Sequence, residues 1–182
     1  MGVRRKFIRD LAEKVLMKYH PKNGPAVDPV EIAKALRIEV KLEKVDDDLS
    51  GFLYRDSKTN RTIIGANSRH HANRRKFTIA HELGHFLLHK AEKVHLDERK
   101  PGGFVLQWRD QNSSTGEDLF EREANLFAAE LLMPAKALEK DLRNQNVDLL
   151  EDEEFLKGLS KKYGVSVQAL TIRLDYLGYV HQ

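Results

Sequence analysis

The chain has 182 residues, 31 basic and 28 acidic, a net charge of +3 and a sequence pI near 9.0. It is long enough for one domain with a substantial core, and so near neutrality that charge alone does not mark a nucleic-acid binder. It contains no cysteine, which excludes disulfides, thiolate metal sites and cysteine nucleophiles, so any metal must be held by histidine and carboxylate. No apolar run approaches the ~18 residues of a membrane span. Met1 to Lys6 is basic without an apolar signal core behind it, so the expected compartment is the cytoplasm.

Taken in order, Arg5 to Tyr19 repeats apolar residues at helical spacing, and His20 to Pro25 is rich in turn formers. Asp28-Pro29 opens a second helix, with Asp28 as cap and proline at the first position. Ile38 to Leu42 alternates as a strand. Asp46-Asp47-Asp48 lacks the ligand spacing of a calcium loop and reads as a solvated turn. Gly51 to Tyr54 and Thr62 to Ile64 form a predicted hairpin around an Asp56–Asn60 loop. His70 and His71 are adjacent, do not share a helix face, and are expected at the surface where the next helix starts.

That helix carries His81-Glu82-Leu83-Gly84-His85. Residues four apart lie on one helical face, so both imidazoles can reach one ion at ~2.0–2.1 Å. Glu82 is placed to act as a base on water rather than as a ligand, which is the logic of a zinc hydrolase. An exposed polar stripe is the plain alternative, but Phe77, Ala80, Leu83, Leu87 and Leu88 predict a buried helix. Buried polar groups require partners. Gly84, costly inside a helix, predicts the close approach of another backbone or of substrate.

A catalytic zinc site needs a third protein ligand. Glu117 to Pro134 reads as a strong helix ended by proline, with Leu119, Phe120, Phe127, Leu131 and Leu132 as candidate core and Ala124 and Ala128 as points of close packing. Glu121 is the proposed third ligand. Asn125, on the same face, is proposed to hold a ligand histidine by a hydrogen bond. Glu117 is a weaker candidate. Glu123 is the main rival, but it points about 200° around the helix from Glu121 and is expected to face solvent. His89 continues the four-residue series and is read as structural or as a partner of a ligand, because a straight helix cannot aim a third histidine at the same ion.

These two segments, Phe77 to His85 and Glu121 to Pro134, resemble the ImmA/IrrE family of metallo-endopeptidases. Asp28 to Ala33 resembles that family's opening helix, and Tyr163 to Leu170 with Arg173-Leu174 its closing one, so the likeness covers roughly residues 25 to 178. The resemblance implies a bacterial or phage protein with His81, His85 and Glu121 as metal ligands and Glu82 as catalytic base. It also implies cleavage of a helix-turn-helix repressor or antitoxin, relieving repression under stress. Zinc is the expected ion, and His/His/Glu ligation also accommodates manganese or iron. Lys93 to Gly116 departs from the pattern as an insertion or long loop, a candidate lid. Tyr54, His89, Arg109 and Tyr163 are the candidates for stabilising the oxyanion.

After Pro134 the chain remains helical in pattern. Glu151 to Glu154 suits a first turn, Gly164 breaks a helix and Ser166 caps the next. This outlines a helix-turn-helix, yet its second helix offers only Arg173 as a base, so support for the core or a protein-docking surface is expected before DNA contact. The predicted architecture is α+β and mainly helical. A small mixed or antiparallel sheet packs on the His-Glu-x-x-His helix in a zincin-like core over residues 1–134, and a helical segment over 135–182 packs on that core. The expected function is a zinc endopeptidase acting on a repressor. Its competitors are a metal-containing regulator that inactivates a repressor without cutting it, and a DNA-binding regulator working through the C-terminal helices. The sequence gives no oligomeric state.

Overall fold

The computed structural model describes residues 2–20, 24–46, 49–56, 58–89, 94–98, 116–143 and 152–179. Seven helices and one four-stranded sheet lie among them: α1 (Arg5–Tyr19), α2 (Pro29–Ala35), β1 (Glu39–Glu43), β2 (Leu49–Asp56), β3 (Arg61–Asn67), α3 (Ala72–Leu88), β4 (Val94–Glu98), α4 (Gly116–Leu132), α5 (Ala135–Leu142), α6 (Glu153–Tyr163) and α7 (Val167–Tyr176). The α+β, mainly helical reading of the sequence holds. No described helix is long and apolar enough to cross a membrane.

The sheet order is β1-β3-β2-β4, with β1 parallel to β3 and the other pairs antiparallel. The hairpin of β2 and β3 turns where predicted. Asp56 accepts from the Lys58 amide at 2.9 Å and from the Thr59 hydroxyl at 2.6 Å, and Asn60 takes the left-handed conformation that asparagine tolerates, with φ 54°. Because β3 lies between β1 and β2, the β1–β2 connection must cross the end of the sheet. The buried Asn67 amide pins that crossing, donating to the carbonyls of Asp46 at 2.9 Å and Leu49 at 3.0 Å. Asp47 and Asp48 of the acidic run lie outside the described residues, and Asp46 is exposed.

Helix α3 is the centre of the molecule. Every residue from Phe77 to His85 is buried, so the helix is enclosed on all sides rather than amphipathic. The sheet covers it on one side and α4 on another. A methyl group on Gly84 would stand 3.0 Å from the Ala124 Cα and 3.1 Å from its carbonyl oxygen. The approach expected from Gly84 is therefore made by the α4 backbone, at one of the two alanines expected to permit it. From the sheet, the Arg55 guanidinium donates to the carbonyls of His89 at 2.7 Å and His85 at 3.0 Å, satisfying the C-terminal end of α3.

The remaining helices follow their caps. Asp28 accepts from the Val30 amide, Asp152 from Phe155 and Ser166 from Ala169. Gly164 ends α6 with φ 63°, and the Lys76 ammonium donates to the carbonyls of Tyr163 and Gly164, both at 3.0 Å. Arg173, the one base noted on the last helix, is 0% exposed. It pairs with Glu130 at 2.7 Å and donates to the Met133 carbonyl at 3.1 Å, so α7 is locked onto α4 by a buried ion pair.

Candidate metal centre

His81 and His85 sit one turn apart on α3, buried, with their Nε2 atoms 3.0 Å apart. Glu121 on α4 meets both, Oε2 at 3.3 Å from His81 Nε2 and Oε1 at 3.1 Å from His85 Nε2. The Glu121 side chain keeps 37% of its exposure, so the cluster opens to solvent on the carboxylate side. Among the described residues these three form the group of histidines and acids whose donor atoms all lie within 4.8 Å of one another. Four ligands at ~2.0–2.1 Å around a tetrahedral zinc ion stand ~3.3 Å from each other. The observed separations are within a few tenths of an ångström of that edge.

The hydrogen bonds around the cluster set which ring nitrogens carry protons. Asn125 Oδ1, an acceptor, lies 2.9 Å from His81 Nδ1. His81 is thereby protonated at Nδ1 and keeps its lone pair at Nε2. On the other histidine, His85 Nδ1 faces His89 Nδ1 at 3.2 Å, and His89 Nε2 faces Glu123 Oε2 at 3.2 Å. The His81 lone pair, the His85 ring nitrogen and the Glu121 carboxylate converge on one point. The donor chemistry and the spacing both suit a divalent metal ion.

Glu123 does not face solvent as its helical angle suggested. It is 1% exposed and carries a bidentate fork from Arg4, Nε to Oε1 at 2.9 Å and Nη2 to Oε2 at 2.6 Å, with the Arg4 amide adding a third bond at 3.1 Å. Burial pushes its carboxyl up, but hydrogen bonds from Arg4 and His89 together outweigh burial and hold it down at about 2. The helical-angle argument failed because α4 is covered on more than one side. The compensating cation comes from 119 residues away in sequence, where no local pattern announces it.

Other sequence-based expectations sort as follows. Glu82 is fully buried on α3 beside β2, its Oε1 3.7 Å from where a Gly51 methyl would stand. His89 is buried against His85, as a partner rather than a third donor to the cluster. Phe120, expected in the core, is 37% exposed and stacks on His89 with ring centroids 4.4 Å apart. His71 lies at the surface and caps α3, its Nδ1 accepting from the Asn73 amide, but His70 is buried at 8% exposure. Tyr163 is buried and donates to Asp141 at 2.8 Å. The side chain of Glu117, Arg109 and most of the Lys93–Gly116 segment lie outside the described residues, although that segment begins with a strand, β4, and not with a loop.

Comparison with known proteins places the chain in a family. The chain is 31% identical to an uncharacterized immunity region protein 2 of Bacillus phage phi105, over 128 residues that make up 70% of this chain and 68% of the phage protein. The family model for the IrrE N-terminal-like domain matches residues 33–175, which takes in the sheet, α3, α4 and both C-terminal helices. With His81, His85 and Glu121 gathered inside that span, the chain belongs to the Peptidase_M78 family of metallopeptidases.

Proposed function

We propose that this protein is a zinc-dependent endopeptidase in which His81, His85 and Glu121 hold the ion and Glu82 is the catalytic base. The observation that carries the reading is the set of donor separations, 3.0, 3.1 and 3.3 Å, so close to the edge of a tetrahedral zinc site. When bound, the ion supplies Lewis acidity that polarises a scissile carbonyl and eases the deprotonation of water. Glu82 takes the proton of the attacking water and returns it to the leaving amine. Asn125 orients His81 through the Nδ1 hydrogen bond. The partly open Glu121 side gives the substrate backbone its approach.

The substrate we infer is a helix-turn-helix repressor or antitoxin. Two things support this: the resemblance to ImmA/IrrE proteins, and the similarity to a phage protein named for an immunity region. An extended segment of such a protein would add to an edge strand of the sheet, held by backbone hydrogen bonds. Arg173 is consumed by Glu130 inside the fold and gives α7 no base with which to read DNA.

The test is digestion of a helix-turn-helix repressor, sought first among the neighbouring genes, by wild type and by Glu82→Gln. The variant should retain its metal and lose ~100-fold or more in cleavage rate. Unchanged cleavage by a metal-loaded Glu82→Gln protein would overturn the assignment. Tight association with the repressor and no new peptide ends, in wild type, would instead mark a regulator that sequesters its partner.

A further inference from the structure

We propose that the start of α3 and the α6–α7 turn form a docking site for an acidic segment of a partner protein, which brings an apolar side chain into the cavity between them. The inference goes beyond the metallopeptidase reading and does not depend on it, since binding here needs neither metal nor cleavage. From Asn73 to His81 the helix rises about 12 Å, so a partner held here is held apart from the metal centre.

The cavity holds about 320 Å³, the size of a small ligand pocket. Phe77 of α3 gives it an apolar lining, with Val165 and Ala169 opposite. Its polar lining includes Asn73 and Arg74 from α3 and Gln168 from α7 and, among the described residues, no acid. Val167, just before Gln168, keeps 36% of its exposure and adds an apolar group at the surface. The positive charge of the chain is concentrated beside this cavity. From Lys58 to His81 there are six lysines and arginines and no aspartate or glutamate, while the rest of the chain, with 25 basic and 28 acidic residues, is net negative. Four of the six, Arg69, Arg74, Arg75 and Lys76, lie just before α3 or in its first turns. Arg75 donates to the carbonyls of Ser68 and His70, and Lys76 to those of Tyr163 and Gly164, all neutral acceptors. Asp28 influences Lys76 only at longer range. Neither α3 nor α7 has an acid in its first turn, where acids are favoured. The cations thus add to the positive ends of two helix dipoles, and an acidic partner offsets both. A nucleic acid would meet these cations through its phosphates and leave the apolar lining unused. A peptide that carries both acidic and apolar side chains uses the whole site.

The experiment measures, by fluorescence anisotropy, binding of the full chain to a short labelled peptide in which glutamates flank a single leucine. The same peptide with serine in place of leucine, and a labelled duplex DNA, are the comparison probes. The protein variants are Asn73→Glu and Gln168→Glu. Each puts a carboxylate on the rim and also supplies the acid that the first turn of a helix favours, so both should melt at or above the wild-type temperature. Both should nevertheless bind the leucine peptide at least about tenfold more weakly, because like charges then face each other. The serine peptide should bind wild type about tenfold more weakly than the leucine peptide, having lost an apolar side chain to bury. Added salt should weaken the leucine peptide's binding. In wild type, the nitrogen-15 shifts of the Asn73 and Gln168 side-chain amides should move as the leucine peptide is added. Binding that is absent from wild type, unchanged in both variants or indifferent to serine would overturn the proposal. So would duplex DNA that binds more tightly than the peptide and is displaced by the same substitutions. The amide shifts are read without any substitution, so still amides in a saturated complex would overturn it even if a variant does not fold.

Discussion

Helix α4 sets acidic side chains against other helices near both of its ends, and the two ends differ in kind. Near its C-terminal end Glu130 meets the buried Arg173 at 2.7 Å and the half-exposed Arg9 at 3.4 Å. Near its N-terminal end Glu121 meets the Nε2 atoms of His81 and His85, at 3.3 and 3.1 Å. Both are polar clusters between helices, the first buried and the second open on its carboxylate side. The difference lies in the partners: Glu130 finds its cations within the chain, whereas the cluster at Glu121 suits an added one. A buried charge therefore says little about chemistry until the protonation of its neighbours is worked out.

Substitutions can break that contrast. The largest effect is expected from His81→Ala or Glu121→Ala. Either should lower zinc affinity beyond the ~100-fold reached by outer partners, with the metal-free protein as stable as wild type or more so. Equilibrium dialysis and thermal melting in chelator check both halves. Next is Arg173→Met, which leaves Glu130 only the half-exposed Arg9 and should cost about 1–3 kcal/mol of stability by denaturant titration without altering zinc affinity. Removing both buried charges with Arg173→Met and Glu130→Leu together should recover most of that loss. A persistent loss in the double variant would show that the pair does more than balance itself. Gly84→Ala forces the α3 and α4 backbones apart and should destabilise by about 1–3 kcal/mol. Because it separates the helices that carry the donors, it should also weaken zinc binding.

The smallest effect concerns pH. Burial first, and then the neighbouring Asp141 carboxylate, raise the Tyr163 hydroxyl above the ordinary tyrosine value of 10.0. The folded protein thus holds this proton more tightly than the unfolded chain. The stabilisation is complete below about pH 10 and declines as pH rises above it, because the unfolded state ionises first. Tyr163→Phe should cost about 1 kcal/mol at neutral pH and flatten that alkaline decline in a series of melts.

Much of this was legible in the residue pattern. The spacing of His81 and His85 survives folding because four residues on a helix fix a geometry regardless of surroundings. Gly84 and Ala124 were readable for the same reason: small residues in a helix interior signal what must fit beside them. Caps at Asp28 and Ser166 are local too. What escaped were judgements about faces. Glu123 and His70 were assigned to solvent, and Phe120 to the core, by assuming that a helix has one inside. Helix α4 is covered by α1 as well as α3, and the residue that makes Glu123 tolerable there is Arg4, far away in the chain. Likewise the burial of Arg173 was not readable, because nothing near it in sequence reveals Glu130.

The separation between Arg4 and Glu123 has a consequence for birth order on the ribosome. Arg4 emerges early, the two imidazoles of α3 about eighty residues later, and the carboxylates of α4 only after a further stretch of chain. A nascent polypeptide halted before α4 holds a pair of imidazoles with neither Glu121 to complete the cluster nor Asn125 to orient it. The three donors are thus present together only once α4 has followed α3, with α5, α6 and α7 still to come.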